Sequence, residues 1–335
     1  MAALAAGMAA PALAAPVPLQ LVKPPRLKTG DVIGLVAPGG YTTEAAIAKA
    51  VRNIESLGCR VKEGANLRAV FGNYGGTAQQ RLDDLHAMFA DPAVNAIWAI
   101  RGGAGCIALL AGLDYALIRA HPKILLGYSD ITALHLAIHR QAGLVTFHGP
   151  VASSTLSDYA AEQLLAVLRD PQPATVIPMS SANAYRGLSE PLYAVRTVHA
   201  GVATGVLMGG NLSMVSALAG TPYAAEIAGA LLFLEEVNEA PYRVDRWMTQ
   251  LDLAGGLHNA AAVVVGICEN CGPEPGDLSL TLEQTLALHL DPLAVPAVTG
   301  YSIGHIRNQC TLPVGVVATL DTRRQAIILH EAAVA

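Results

Sequence analysis

Charged and aromatic residues are scarce in this sequence. Of its 335 residues only 14% are charged and 5% are aromatic, whereas 53% are hydrophobic, and the net charge is −5. No run of lysine and arginine forms the basic patch that nucleic-acid binding requires, so we expect no nucleic-acid partner. The length and the hydrophobic fraction suit one large domain or two medium ones with an ample core.

After the N-terminus the sequence also lacks a long apolar run. No later segment reaches the roughly 18 to 20 apolar residues of a membrane-spanning helix, and we predict no stable membrane span. Residues 1–27 differ, because this alanine-rich stretch contains Ala12-Leu13-Ala14 and resembles a secretory signal with its cleavage site. The charged n-region is missing, and a disordered Ala/Pro tail is the alternative. The signal-like pattern favours a periplasmic location over a cytoplasmic one.

Cysteines are few and widely scattered. An odd number, five, is not a disulfide framework. Cys268 and Cys271 form a lone C-x-x-C, without the second pair or the nearby histidines that a zinc site needs. We interpret them as structural thiols, with a local disulfide as the alternative in an exported protein. We predict neither a metal nor a cofactor.

The order of the apolar segments predicts an α/β fold. Short strand-like runs alternate with segments of helical periodicity, which is typical of a mainly parallel sheet flanked by helices. We assign residues 28–155 to this N-terminal α/β domain and 156–195 to a connector. Residues 196–335 contain more strand-like runs and predict a smaller, β-rich α+β domain at the C-terminus.

Two glycine-containing turns follow neighbouring strands of the predicted N-terminal sheet. The motif "RGGAG" begins at Arg101, after the apolar run 95–100, and "GYSD" follows the run "KILL". Ligands of parallel sheets bind at the carboxyl ends of strands, where both turns lie. Ser129 therefore stands at a strand-to-helix turn, as a nucleophile does, although the motif is not G-x-S-x-G. The alternative is that Ser129 only caps the following helix.

A serine nucleophile needs a base and a group that orients the base. His305 lies in a glycine-containing loop and is the preferred base, although an ordinary loop histidine is the alternative. Glu235 ends the apolar run "ALLFLE", where a carboxylate must be paired. It either orients an imidazole or pairs with Arg243 or Arg246.

Three other histidines are candidates for a site. His135 and His139 have the i, i+4 spacing of half a metal site, but the glutamate of H-E-x-x-H is missing, and we prefer a structural role. His148 ends an apolar strand, in "FHGP", and we expect it to line the cleft.

Seven motifs in the same order resemble the LD-carboxypeptidase family of serine peptidases, which includes murein tetrapeptide carboxypeptidases and microcin C immunity peptidases. They cover roughly residues 28 to 325 and are "GDVIGLVAPGG", "AIWAIRGGAGC", "KILLGYSDITALHLA", "FHGP", "GVLMGGNLSMVSALAGTPY", "LFLEEVNEAPYRVDRWMTQL" and "GHIRNQCTLPVG". The resemblance implies an α/β domain followed by a β-rich domain. It also favours Ser129 as a nucleophile over a cap.

The resemblance further implies which residues act. Its Ser-Glu-His triad corresponds to Ser129, Glu235 and His305. Its oxyanion donors correspond to the backbone N–H of Asp130 and that of Gly102 or Gly103. The sequence departs from the family at Ala104, where an aromatic residue is common, and this difference leaves the exact substrate open.

The implied function is a serine-type L,D-carboxypeptidase that removes the terminal D-alanine from a murein tetrapeptide through an acyl-enzyme. One alternative is an amidase that cuts peptidyl- or aminoacyl-nucleotide conjugates, although Trp98 and Trp247 do not resemble loop-borne stacking platforms. A non-catalytic small-molecule binding protein is the second alternative, although G-x-G-x-x-G and P-loop motifs are missing. We expect a small peptide partner, and the sequence leaves a homodimer open.

Overall fold

The computed structural model describes residues 20–172 and 174–335. The strands are Val32–Val36 (β1), Arg60–Glu63 (β2), Ala96–Ala99 (β3), Ile124–Gly127 (β4), Thr146–His148 (β5), Val176–Pro178 (β6), Arg196–His199 (β7), Val202–Asn211 (β8), Ala230–Glu235 (β9), Ala262–Gly266 (β10), Ala297–Tyr301 (β11), Leu312–Val314 (β12), Val317–Asp321 (β13) and Ala326–Leu329 (β14). The α-helices are Glu44–Ser56 (α1), Ala78–Ala90 (α2), Tyr115–Ala120 (α3), Thr132–Ala142 (α4), Asp158–Leu168 (α5), Ser181–Arg186 (α6), Leu212–Ala217 (α7), Pro241–Leu253 (α8) and Leu282–Leu290 (α9).

The first sheet has six strands in the order β12-β5-β4-β3-β1-β2. Strands β1 to β5 pair in parallel, and β12 pairs antiparallel with β5. Strands β3 and β4 are buried along their whole length, as expected of parallel strands covered on both faces, which explains their uninterrupted apolar sequences. The predicted α/β architecture with a mainly parallel sheet is confirmed.

Local sequence determines where the first helices begin. The Thr43 hydroxyl accepts a hydrogen bond from the Ala46 N–H and so caps α1. Thr77 and Gln80 form a reciprocal capping box at the start of α2. Helix α4 has no polar face at its N-terminal half, and its residues from Thr132 to Ile138 are all buried between layers of the fold.

The second sheet has eight strands in the order β6-β14-β13-β8-β9-β10-β11-β7. Its centre, β8 to β11, is parallel, and the outer strands pair antiparallel. The segment 156–195, which we predicted to be a connector, contributes α5, α6 and the edge strand β6. The division into domains at residues 155 and 196 stays a prediction.

The two sheets belong to one continuous body. Strand β12, which follows the second sheet's β11 in the chain, crosses back to pair with β5 of the first sheet. A single large cluster of buried apolar side chains includes residues from both sheets, such as Leu126 of β4 and Phe233 of β9. The shared core fixes the strand ends of one sheet relative to those of the other.

The N-terminal prediction concerns residues that are largely not described. The signal-like segment 1–27 falls mostly on residues 1–19, which lie outside the described residues. Within residues 20–172 and 174–335, no helix combines the length and the apolar character needed to cross a membrane.

Candidate active site

Ser129 occupies a strained turn between β4 and α4. Its φ is +64°, a left-handed conformation that costs a residue with a side chain roughly 1–2 kcal/mol. Neither the short 3₁₀ turn at residues 129–131 nor α4 receives a capping hydrogen bond from a side chain, so the interpretation of Ser129 as a helix cap is wrong. A strained residue retained at a strand end indicates a functional position.

The glycine loop after β3 packs directly against this serine. A Cβ atom placed on Gly102 would lie 2.8 Å from Cβ and 3.0 Å from Oγ of Ser129. Gly103 has a φ of +122°, and a Cβ there would lie 2.7 Å from the Gly40 nitrogen. Only glycines therefore permit the loop to approach Ser129 this closely.

Three backbone N–H groups at this turn are free to bind an oxyanion. The carbonyl of Gly102 accepts the N–H of Gly40 at 2.9 Å, which fixes the orientation of the loop. Within the described part of the chain, the N–H groups of Gly102, Gly103 and Asp130 have no hydrogen-bond partner. Such donors at a strand end and the start of a helix stabilise negative charge.

The Asp130 carboxylate has a structural role. Its Oδ2 accepts the backbone N–H of Cys106 at 3.0 Å, and the residue is only 3% exposed. Burial raises the pKa of this carboxyl. The side chain thus ties the serine turn to the segment after the glycine loop, and only its backbone N–H is available to a substrate.

His305 and Glu235 form a hydrogen-bonded pair. Nδ1 of His305 lies 2.7 Å from Oε2 of Glu235, whose side chain is completely buried, whereas that of His305 is 18% exposed. Gly304, with a φ of +121°, permits the contact, because a Cβ there would lie 2.7 Å from the Ile267 carbonyl oxygen. With Nδ1 engaged, Nε2 is the nitrogen left to exchange a proton with a reactant.

The pair holds Glu235 ionised and makes His305 more basic. Burial by itself favours neutral Glu235, but the adjacent His305 outweighs burial and keeps the pKa of this carboxyl below its ordinary value. Burial likewise opposes protonation of His305, but the Glu235 carboxylate outweighs it and raises the pKa of the imidazole. General bases have this arrangement, in which a carboxylate orients an imidazole and raises its pKa.

The Tyr128 ring connects this pair to the serine turn. Its centroid lies 4.7 Å from that of the His305 ring, and Tyr128 is the residue immediately before Ser129. Burial raises the pKa of Tyr128 to about 12, so the phenol is neutral. The sequence analysis selected the serine of "GYSD" but did not predict this contact, because the motif does not indicate the direction of the tyrosine side chain.

The expected alternative partners of Glu235 bind elsewhere. Arg243 reaches the carboxylate of Glu239 at 3.2 Å, and Arg246 lies over the ring of Tyr242 at 5.6 Å. The arginine alternative for Glu235 is therefore wrong.

Glu236, the second residue of the acidic pair, is occupied by structural hydrogen bonds. It accepts hydrogen bonds from the Asn211 side chain, the Ser213 N–H and the Val237 N–H at 2.9–3.0 Å. The two adjacent carboxylates thus have different surroundings, and only Glu235 meets an imidazole.

The other candidate histidines and cysteines have structural surroundings. His135 Nε2 lies 2.9 Å from the Gly127 carbonyl oxygen, and burial lowers its pKa to about 3. His139 packs against Gly315.

The two cysteines of the C-x-x-C motif are also structural. Cys268 and Cys271 are buried free thiols, and burial raises the pKa of Cys271 to about 12. Among residues 20–172 and 174–335 no group of three or more His, Cys, Asp or Glu could hold a metal ion.

His148 was expected to line the cleft, but it lies behind it. The residue is fully buried, with its ring edge-on to Phe233 at 5.2 Å and to Tyr128 at 6.0 Å between centroids. The cleft position is wrong because the ring packs against Phe233 of β9 and against Tyr128, which lie over the face of the sheet to which His148 points.

Comparison with known proteins identifies the family of this chain. Models of the LD-carboxypeptidase N-terminal and C-terminal domains match residues 33–149 and 204–320. A probable murein peptide carboxypeptidase of Bacillus subtilis (strain 168) is 37% identical over 316 residues, which cover 92% of this chain and 94% of that protein. A murein tetrapeptide carboxypeptidase of Pseudomonas aeruginosa is 31% identical over 296 residues, covering 87% and 94%.

A solved structure extends the comparison to three dimensions. The structure of MccF in complex with glutamyl sulfamoyl guanosine has a TM-score of 0.84, with 24% identity, and the match covers 93% of this chain and 99% of that one. At this identity the likeness shows a shared two-domain fold. Together with the two domain matches and the two carboxypeptidase relatives, it establishes that this chain belongs to the LD-carboxypeptidase family and is a hydrolase, a carboxypeptidase of the serine type.

Proposed function

We propose that this enzyme removes the terminal D-alanine from a murein tetrapeptide, with Ser129 as nucleophile, His305 as base and Glu235 as the group that orients the base. The observation that carries the proposal is the 2.7 Å hydrogen bond between His305 and buried Glu235. The His305 ring also packs against Tyr128, the residue before a serine held in a left-handed turn. The two relatives named murein carboxypeptidases support the substrate class.

The proposed reaction has two halves. In the first, Ser129 Oγ attacks the carbonyl carbon of the bond to D-alanine while Nε2 of His305 takes the hydroxyl proton. The oxyanion is bound by the N–H of Asp130 and that of Gly102 or Gly103. The C–N bond then breaks, the D-alanine nitrogen receives the proton from His305, and the acyl group stays on Ser129. In the second half His305 takes a proton from a water molecule, whose oxygen attacks the acyl carbon. The ester bond to Ser129 then breaks, Ser129 Oγ receives the proton back from His305, and the acyl group leaves as a tripeptide acid.

A carboxypeptidase must also recognise a free terminal carboxylate. Arg101, the residue before Gly102, has an exposed guanidinium that donates to the Tyr41 carbonyl at 3.1 Å. Among the described residues it has no carboxylate partner, so it is available to an anion near the nucleophile. Arginine binds carboxylates in a bidentate geometry, which favours it for this role.

The nucleotide-conjugate amidase has less support. Such a substrate needs an aromatic platform for its base, and Trp98 is only 1% exposed, with its indole N–H donated to the Pro150 carbonyl. Trp247 lies in the middle of α8, where it packs against the hydrophobic core instead of extending from a loop. We therefore propose the peptide substrate in preference.

The test is release of D-alanine by purified protein. Wild type is expected to release it from a murein tetrapeptide and to act poorly on the same peptide with a terminal amide. Ser129→Ala is expected to lose at least about a thousandfold in kcat, as serine enzymes do on loss of the nucleophile. Ser189→Ala removes an exposed hydroxyl that donates to the Arg186 carbonyl, and it is the control that is expected to keep full activity.

A fluorophosphonate label on Ser129, located by peptide mass mapping, provides an independent readout. Full activity of Ser129→Ala would overturn the mechanism. Activity confined to an aminoacyl sulfamoyl nucleotide would instead overturn the substrate.

A further inference from the structure

A second histidine lies on the buried side of Glu235. His148 ends β5, where it is paired in register with Gly127 of β4 and with Leu312 of β12. Its ring packs edge-on against Phe233. Phe233 and Glu235 are two residues apart on β9 and therefore point to the same face of that strand. His148 thus packs against the face of β9 from which the Glu235 side chain projects.

Polar side-chain atoms of both His148 and Glu235 lack hydrogen-bond partners among the described residues. Neither ring nitrogen of His148, which is fully buried, has a hydrogen-bond partner among the described residues. Oε1 of Glu235 is likewise buried without a partner, since His305 engages only Oε2. Buried polar atoms are almost always satisfied in native proteins, so adjacent unsatisfied donors and acceptors indicate that they serve each other.

The charge states make the two groups complementary. Burial lowers the pKa of His148 to about 4, so its ring is neutral at pH 7 and carries one N–H donor. Glu235 is ionised, with its pKa held low chiefly by His305 and further by His148. The titratable groups that face His148 are Glu235 from β9, His305 from the loop after β11, His135 from α4 and Tyr128 from the serine turn.

We propose that His148 is a positioning residue for Glu235, presenting its ring N–H to Oε1 of the carboxylate, directly or through one water. The inference rests on the proposed function, in which Glu235 orients His305. A buried carboxylate with a single hydrogen bond is poorly stabilised and free to rotate. A second donor on the far oxygen fixes the plane of the carboxylate and hence the direction of the His305 ring.

The role predicts a change in the pH profile. Without the His148 donor the negative charge of Glu235 is stabilised by one hydrogen bond fewer. The Glu235–His305 pair therefore binds its proton more tightly. The acid limb of kcat/KM, which reports loss of that proton, therefore moves to higher pH, by about half a unit to one unit. KM is unaffected, because His148 touches no substrate.

The test uses variants that keep or remove the donor. His148→Phe retains a ring against Phe233 and removes both nitrogens. It is expected to lower kcat about tenfold, to leave KM within twofold and to raise the acid-limb pKa. His148→Asn or His148→Gln, whichever places its amide N–H nearer the carboxylate, is expected to restore most of kcat. Thr146→Val is the control, because it alters a buried, unpartnered hydroxyl on the same strand and leaves the profile unchanged.

Each outcome is decisive. This inference alone is overturned if folded His148→Phe keeps the wild-type kcat and the wild-type acid limb of kcat/KM while Ser129→Ala is inactive. If Ser129→Ala is active, the proposed mechanism on which the inference rests is overturned as well. If His148→Phe does not fold, ¹⁵N-histidine NMR of wild type and Glu235→Gln replaces it. A neutral His148 whose N–H proton resonance moves upfield in Glu235→Gln supports the role. A protonated His148 at pH 7, or an unchanged resonance, contradicts it.

Discussion

At the scale of single residues, the candidate site contains one buried carboxylate that is hydrogen-bonded to an imidazole. Glu235 and Glu236 are adjacent, but Glu236 is hydrogen-bonded to Asn211 and two backbone N–H groups, whereas Glu235 meets His305. The difference follows from the strand end. Consecutive side chains of extended backbone point to opposite sides. Glu235 is the last residue of β9 and faces the loop that carries His305, whereas Glu236, the next residue, faces the start of α7.

Replacing Glu235 by glutamine removes the charge and keeps the shape. With His305 as the proposed base, its raised pKa predicts that the wild-type rate rises with pH only as the imidazole loses its proton above its ordinary pKa. In Glu235→Gln burial alone acts on the imidazole, so the acid limb of kcat/KM is expected to move to lower pH. We also expect kcat to fall by about 10⁴, as for other triads without their acid.

The measurement for Glu235→Gln is the pH dependence of D-alanine release. Glu239→Gln, which affects only the ion pair with Arg243, is the matched control and keeps the wild-type profile. An acid limb that stays in place in Glu235→Gln would show that His305 owes its basicity to another group.

At the scale of secondary-structure elements, the turn from β4 to α4 holds Ser129 with φ at +64°. Glycine adopts this conformation without strain, whereas alanine does not. Both Ser129→Gly and Ser129→Ala are expected to be inactive. Ser129→Gly is expected to be more stable than Ser129→Ala by about 1 kcal/mol, the strain of a left-handed residue.

Urea unfolding of the two variants checks this prediction through the difference in midpoints at equal slope. Ala137→Gly, in the middle of the right-handed helix α4, is the control and is expected to show the opposite sign, since glycine destabilises a helix interior. Equal stability of Ser129→Gly and Ser129→Ala would mean that the turn relaxes when the hydroxyl is removed.

The elements themselves were largely predictable, whereas their contacts were not. Alternating apolar runs and helical periodicity predicted the strands and helices of the first sheet, because each run is long enough to bury one element. The motif also predicted that Ser129 follows a strand. Its positive φ was not predictable, since a serine at such a turn equally suits a helix cap. The burial of His148 depends on Phe233 of β9, which is some 85 residues away in the chain, and no local pattern contains that contact.

At the scale of the whole molecule, a hydrogen bond between Asn211 and Thr132 helps to join the part of the candidate site that contains Ser129 to the part that contains Glu235. Strand β8 pairs with β9 so that Asn211 is in register with Glu235. The Asn211 N–H donates to the Thr132 hydroxyl at 3.0 Å, and Thr132 is the first residue of α4, just after the serine turn. The approach requires Gly210, where a Cβ would lie 2.5 Å from the Thr132 side chain. The strand that neighbours Glu235 is thus fixed to the helix that follows Ser129.

Two substitutions at Thr132 separate alignment from stability. Thr132→Val keeps the side-chain shape and leaves the buried Asn211 N–H without an acceptor, which destabilises the fold by about 1–3 kcal/mol. It also allows the part of the site that contains Ser129 to shift relative to the part that contains Glu235. Displacements of about 1 Å reduce rates by up to about a hundredfold, so we expect kcat to fall at least about tenfold. Thr132→Ser keeps the acceptor and removes one buried methyl group, a loss of about 1 kcal/mol in stability, while kcat stays near the wild-type value. Denaturation midpoints and D-alanine release, measured on the same preparations, test this pair. If kcat falls equally in both variants, in proportion to stability, the hydrogen bond contributes to folding alone and the alignment of Ser129 with Glu235 rests on the shared core.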